Sequence, residues 1–295
     1  MEKKQSKSAQ IILNVIAIIY AACCIIPIIV IISGSFTNEF SLNDHGYSLW
    51  PRHFDLTAYM YIFKNPLTII RSYGVTIIVT AATTVVGVLC MTMVGYVLAR
   101  QNCSFRRVLA FYIFFTMLFS GGLVPSYILT TQYLNLRDNI LVMILPSLIN
   151  PFYVIMLRTF IQKLPMSIFE SAKIDGANEL IIFSKIAMPL SIPSIATVAF
   201  FTAMAKWNDW YTALLYINDE TLVPLQYMLY RIQSNVQALL NSMQSSGTVT
   251  VDVTKIPGQN LVLAMAVVAS GPMLIVFPFF QKYFISGLTV GAVKG

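Results

Sequence analysis

Few side chains in this chain of 295 residues could do covalent or metal chemistry. His45 and His53 are the only histidines, with Asp44 and Asp55 close by. Metal ligation is one use of such a group; polar loop residues are the blander one. With no further histidine, a Ser-His-Asp or Cys-His set has little to build on. The stretch Gly287-Leu-Thr-Val-Gly-Ala-Val-Lys-Gly295 has the glycines and lysine of a phosphate loop. It lacks the Gly-x-x-x-x-Gly-Lys-Ser/Thr spacing and a helix to follow, so the chain has no route to ATP by that motif. Cys23, Cys24, Cys90 and Cys103 lie in or beside apolar runs and read as small hydrophobes. No metal site and no resident cofactor is expected.

The elements that carry these residues are apolar. The chain is 57% hydrophobic and 11% charged, with mean hydropathy +0.73. A soluble domain carries about 25% charged residues, so the long apolar runs must face lipid. The net charge of +7 then speaks to orientation rather than to nucleic acid. Six spans are predicted, at about 11–32, 73–98, 108–130, 140–158, 186–206 and 260–281, each near the length a helix needs to cross hydrocarbon. Gly121-Gly122, Pro125, Pro146 and Pro151 interrupt the third and fourth. The first span follows Lys3, Lys4 and Lys7 as a signal peptide does, but the run to Ile32 is too long for one.

With the N-terminus inside, the inner segments hold twelve of the nineteen basic residues against Glu2, Glu170, Asp175 and Glu179. This satisfies the positive-inside rule and predicts both termini in the cytosol. The segments at about 33–72 and 207–259 are then external loops, the second with a polar stretch from Asn241 to Thr254 that reads either as a disordered loop or as a contact surface.

Ionisable groups are scarce inside the predicted spans, which leaves little for coupling transport to protons. Lys206 and Asp209 flank Trp207, with Trp210 beyond, at the edge of the fifth span, where an interfacial belt and a substrate contact are both open readings. Thr76, Thr80, Thr83, Thr84 and Gly87 fall near one face of the second span, suited to helix packing or to a solute pathway. Asn150, followed by Pro151, is a polar outlier in the fourth span. Thr80, Thr84, Asn150, Trp207, Asn208 and Asp209 are the pathway candidates.

Between the fourth and fifth spans lies a polar island, residues 163–185. Ser167-Ile-Phe-Glu170 reads as a capping box. Gly176 reads as a helix end and Asn178 as the cap of a second helix. Ile168, Phe169 and Ala172 share one side of the short helix at about 168–175, and Pro189 and Pro193 kink the entry to the fifth span. The product is a rigid elbow, or an interfacial helix lying on lipid.

The pattern Glu170-x-Ala172-x-x-x-Gly176, nine residues, Ile186-x-x-Pro189 resembles the EAA loop of binding-protein-dependent ABC importer permeases. The family's first Ala is Ser171 here, and its usual Leu before Pro is Met188. Asp175-Gly176-Ala177, Gly121-Gly122-Leu-Val-Pro125, Trp207-Asn-Asp209 and the ending from Gln281 to Gly295 resemble the carbohydrate-uptake branch, in register over nearly the whole chain. The resemblance implies an all-α polytopic membrane protein of the MetI-like, type I importer kind, with six transmembrane helices and a cytosolic coupling helix, in a bacterial plasma membrane. It implies a non-enzymatic subunit that imports a sugar or oligosaccharide. Its partners would be a second homologous permease (a heterodimer), an ATPase dimer that binds ATP and Mg, and an extracellular sugar-binding protein. Glu170, Ser171, Ala172, Asp175, Gly176, Ala177 and Pro189 would couple the spans to the ATPase. Residues 207–259 would meet the binding protein, and the C-terminal tail would approach the ATPase. The alternative is a secondary transporter of a small polar solute.

Overall fold

Three stretches are long and apolar enough to cross a membrane as single helices: Gln10–Ser35, Pro66–Ala99 and Gln259–Gln281. Three further helix pairs qualify only when each bent pair is taken as one span. These elements come from a computed structural model that describes residues 7–101, 103–246 and 258–292. Lys3, Lys4, residues 247–257 and the last three residues, Lys294 among them, lie outside that description. The described residues are helical, apart from turns and one isolated bridge between Thr37 and Phe54.

The chain divides into two units. One comprises the chain up to Leu67 together with Leu229–Gly271. Its first helix, Lys7–Ser35, is rich in Ile and buries none of its apolar stretch within the protein, so lipid or another chain must cover it. The segment after it folds into two short helices, Glu39–His45 and Thr57–Ile62. Asp55 spends both carboxylate oxygens there, accepting from Asn38 Nδ2 at 2.9 Å and from Thr57 N and Oγ1 at 2.9 and 2.6 Å. Among the described residues no group of three or more His, Cys, Asp or Glu is placed to hold a metal. Glu39 accepts from the amides of Gln259 and Asn260 at 2.9 Å each, so a carboxylate caps the last helix, Gln259–Ala292.

The second unit comprises Thr68–Met228 and the chain from Pro272 on. Along Pro66–Ala99, Val75, Val79, Thr83, Gly87, Met91 and Gly95 form a buried stripe with a spacing of four. The missing Cβ at Gly87 is used: one built there would lie 2.9 Å from the carbonyl oxygen of Leu148 and 3.4 Å from its Cα. Thr76 also serves packing, because its buried hydroxyl accepts from Leu225 N at 2.8 Å. Val88, Met91 and Leu98 meet Ile113, Val154, Leu157 and Val198 in a core drawn from four helices.

The structure refines two expectations and corrects one. The break expected in residues 108–130 is sharp: Arg106–Leu118 and Leu123–Tyr133 meet at 113°, and the chain turns at Gly121-Gly122, where Gly122 has φ 85°. Arg106–Leu118, at 13 residues, reaches only about 20 Å. Residues 207–259 are not a plain loop, since they hold the helices Tyr211–Tyr216 and Leu225–Ser246. Leu225, Met228, Leu229 and Val236 are buried at helical spacing. The last apolar stretch, Gln259–Gln281, lies within a helix that continues to Ala292, through residues read from sequence as a glycine-rich tail.

Candidate functional site

The polar island folds into two helical pieces joined by a tight turn. The first, Met166–Ile174, begins after Pro165, with no side-chain cap. The expected capping box is therefore absent. Pro165, with φ near −60°, takes the cap position and starts the helix two residues early, which puts Ser167 inside the first turn rather than at the cap.

The far end forms as expected. Gly176 has φ 80°, Ala177 N donates to Ala172 O at 2.9 Å, and Gly176 N donates to Lys173 O at 3.1 Å. This is the paired closure that a glycine-ended helix makes. Asn178 then caps the next piece, its Oδ1 accepting from Ile181 N at 2.9 Å. That piece, Glu179–Leu190, contains a π turn at Phe183–Ala187 and meets the Ile192–Trp207 helix at 79°, between Pro189 and Pro193.

One side of the Met166–Ile174 helix is held and the other is free. Phe169 and Ala172 are buried against Tyr96, Ile161, Ile182, Phe183 and Ala187. Ala172 thus anchors the helix, and Ala177 is half-buried beside it. Glu170, Ser171, Asp175, Gly176 and Pro189 are exposed. Ile174 is 86% exposed and Leu180 69%. Large apolar side chains set beside a carboxylate on a free helix face are what a docking surface presents.

Sequence reasoning passed over Glu179, which counted there only as one more inner acid. It lies in the 163–185 elbow, before the bend at Ser191. Its carboxylate accepts from Tyr96 Oη at 2.6 Å, Lys173 Nζ at 2.8 Å and Arg100 Nη2 at 3.2 Å. Burial pushes this carboxyl up, but the hydrogen bonds from Lys173, Tyr96 and Arg100 outweigh it and hold the group down at about 2. The Arg100 guanidinium also stacks 4.8 Å from the centre of the Phe169 ring. The available signal was the four-residue spacing of Tyr96 and Arg100, which puts both on one helix face.

Three of the six pathway candidates share one groove. Thr80, Thr84 and Trp207 line one groove of about 360 Å³, together with Ala203, Met273 and Phe280. Its walls are otherwise almost wholly apolar, and the Thr80 and Thr84 hydroxyls are buried without a hydrogen-bond partner. Asn150 is spent locally: it caps Pro151–Ile161, its Oδ1 accepting from Phe152 N at 3.0 Å and Tyr153 N at 3.4 Å. Asp209 pairs with Lys206 at 2.7 Å and accepts from Thr212 N and Oγ1. Lys206 Nζ also donates to Met143 O at 3.1 Å. Asn208 bonds Met204 O and Gln226.

Residues 91–290 match the family described as "Binding-protein-dependent transport system inner membrane component". The chain belongs to this family. The permease is 41% identical to Protein LplC of Bacillus subtilis (strain 168), over 93% of this chain and 90% of that protein. It is 39% identical to the "Polygalacturonan/rhamnogalacturonan transport system permease protein YtcP" of the same organism, over 94% and 95%. At 28% identity it also matches the full length of the "Arabinooligosaccharides transport system permease protein AraQ" of Halalkalibacterium halodurans. The permease fold superposes on a chain of a bacterial ABC transporter "involved in the import of the acidic polysaccharide alginate", with TM-score 0.76 and 28% identity, covering 96% of this permease and 99% of that chain. It is thus an inner-membrane transport component with an all-α, polytopic fold.

Proposed function

We propose that this permease forms half of the translocation pore of an ATP-driven oligosaccharide importer. A second, homologous permease supplies the other half. An ATPase dimer binds ATP and Mg and grips the Met166–Ile174 helix, and an extracellular binding protein delivers the sugar. Both termini and the 163–185 elbow lie on the cytosolic side, in keeping with the distribution of basic residues. The substrate is an oligosaccharide, the class named for the relative AraQ, while YtcP is named for polygalacturonan and rhamnogalacturonan.

The observation that carries this reading is the free face of one short helix. Glu170, Ser171 and Ile174 are exposed, while Phe169 and Ala172 tie the opposite face to the spans. A helix so built passes a push from outside the chain into the transmembrane core. ATP shifts the pore between inward- and outward-open forms only through contacts that differ between them, and this face is where such contacts are made. Glu170, Ser171 and Asp175 meet the ATPase, Gly176 and Ala177 shape the turn, Ala172 anchors it, and Pro189 stiffens the arm.

The test is copurification followed by uptake. This permease, expressed with its second permease, ATPase and receptor, retains the ATPase and takes up labelled oligosaccharide on ATP addition. Replacing Ile174 with Asp removes the ATPase from the complex. Retention of the ATPase by that variant contradicts the assignment.

A further inference from the structure

The Met166–Ile174 helix is tied by the chain itself to only two neighbours. Going back, Leu164 and Pro165 lead to Pro151–Ile161; going forward, Asp175–Asn178 lead to Glu179–Leu190. The Pro66–Ala99 span has no such covalent tie, since it ends far upstream at Ala99. Yet this span carries the buried stripe against which the unit packs, so it must follow any movement that opens a pore.

Besides the Arg100 guanidinium over the Phe169 ring, at 4.8 Å, two kinds of contact cross that gap. One is apolar, Phe169 and Ala172 beside Tyr96, and apolar contact is non-directional and allows sliding. The other is the Glu179 carboxylate. It takes Lys173 from the end of the short helix and Tyr96 and Arg100 from the end of the span, at 2.8, 2.6 and 3.2 Å. An ionised carboxylate has about four acceptor positions on two oxygens, so it holds both sides at once. Half-exposed surface ion pairs contribute little, but this one is not wholly of that kind. The Arg100 side chain is 11% exposed and Tyr96 is 5%, so two of the three donors are fixed by packing.

We propose that Glu179 is a positioning residue: it latches the end of the Pro66–Ala99 span to the Met166–Ile174 helix, so that the second span moves with the helix the ATPase grips. This rests on the importer reading above and adds to it a residue outside the EAA pattern. The bland alternative is that Glu179, as the first residue of its helix, only complements the helix dipole. That role moves stability and not the coupling of two helices.

The experiment uses the full assembly in lipid nanodiscs and vesicles, with spin labels at Gln101 and Ile168, both exposed and neither on the face assigned to the ATPase. In the native permease the label distance is narrow and the same without nucleotide and with ATP trapped. In Glu179→Gln it broadens or splits on ATP trapping, and sugar transported per ATP hydrolysed falls about tenfold, the scale of one charge-assisted hydrogen bond. Tyr96→Phe and Lys173→Met each remove one donor and give smaller falls. Should Glu179→Gln not assemble, these two variants decide. An unchanged distance and an unchanged transport-to-ATP ratio overturn the proposal, as does a native distance that itself changes with ATP. Absence of ATP-driven uptake by the native assembly overturns the importer reading instead, so the two failures are distinct.

Discussion

Replacing Gly176 separates backbone conformation from contact, because the site is open. A Cβ built there meets no heavy atom within 4 Å, yet φ is 80°. The cost of a side chain is therefore conformational: about 1–2 kcal/mol for an ordinary L-residue in the left-handed region, less for Asn, and more for a β-branched residue. Escape to negative φ breaks Ala177 N→Ala172 O and Gly176 N→Lys173 O, each a net contribution of about 1 kcal/mol. The two costs are of the same order, so a substituted turn divides between closed and opened forms. At a factor of ten per about 1.4 kcal/mol, transport per ATP stays near native in Gly176→Asn, falls a few-fold in Gly176→Ala, and falls about tenfold or more in Gly176→Val. The assay is sugar uptake against phosphate release in vesicles holding the full assembly. A ranking by side-chain size, with Ala better than Asn, refutes the reasoning, and so does normal transport by Val.

Other positions give sharp expectations. Gly87→Ala drives a Cβ to 2.9 Å from a backbone oxygen, which cannot swing aside; it should lower stability by about 1–3 kcal/mol, read as a drop in Tm of the purified permease. Asn150→Ala should cost about 1 kcal/mol through loss of the cap, with Asn150→Ser restoring most of it; a change in substrate affinity without a change in Tm would place Asn150 on the solute pathway instead. Thr80→Val and Thr84→Val replace unpartnered hydroxyls in an apolar groove and should leave Tm unchanged or raise it; a loss of uptake would place sugar against them. Glu179 has a lowered pKa, so its contribution is complete above its ordinary value of 4.5 and is lost as pH falls through about 2. The Tm difference between native and Glu179→Gln should therefore be flat from about pH 5.5 to 8 and shrink below about 4.5.

Three long apolar helices and the turn at Gly176 were legible because their signals are local. Twenty-residue apolar runs, Gly176 at a helix end and Asn178 at a helix start each state their role within a few residues, and the structure places φ 80° and the Asn178 cap where those signals put them. What was not legible depends on geometry or on competing local rules. Ser167-x-x-Glu170 satisfies a capping pattern, but Pro165 starts the helix first. The 113° turn after Leu118 follows from a glycine pair, which signals a break but not its angle. The helix Leu225–Ser246 hid under a polar composition, although its buried residues keep helical spacing. Glu179 lies 79 and 83 positions from Arg100 and Tyr96, a pairing that no window of sequence exposes.

The central claim is that this permease has no engine of its own and is moved through one short helix. The direct test is uptake of labelled oligosaccharide into vesicles holding the permease pair and receptor, with and without the ATPase, and with ATP inside or absent. Uptake against a gradient is expected only with ATPase and ATP together, and is lost in Ile174→Asp. Concentrative uptake by the permease pair without the ATPase contradicts the account.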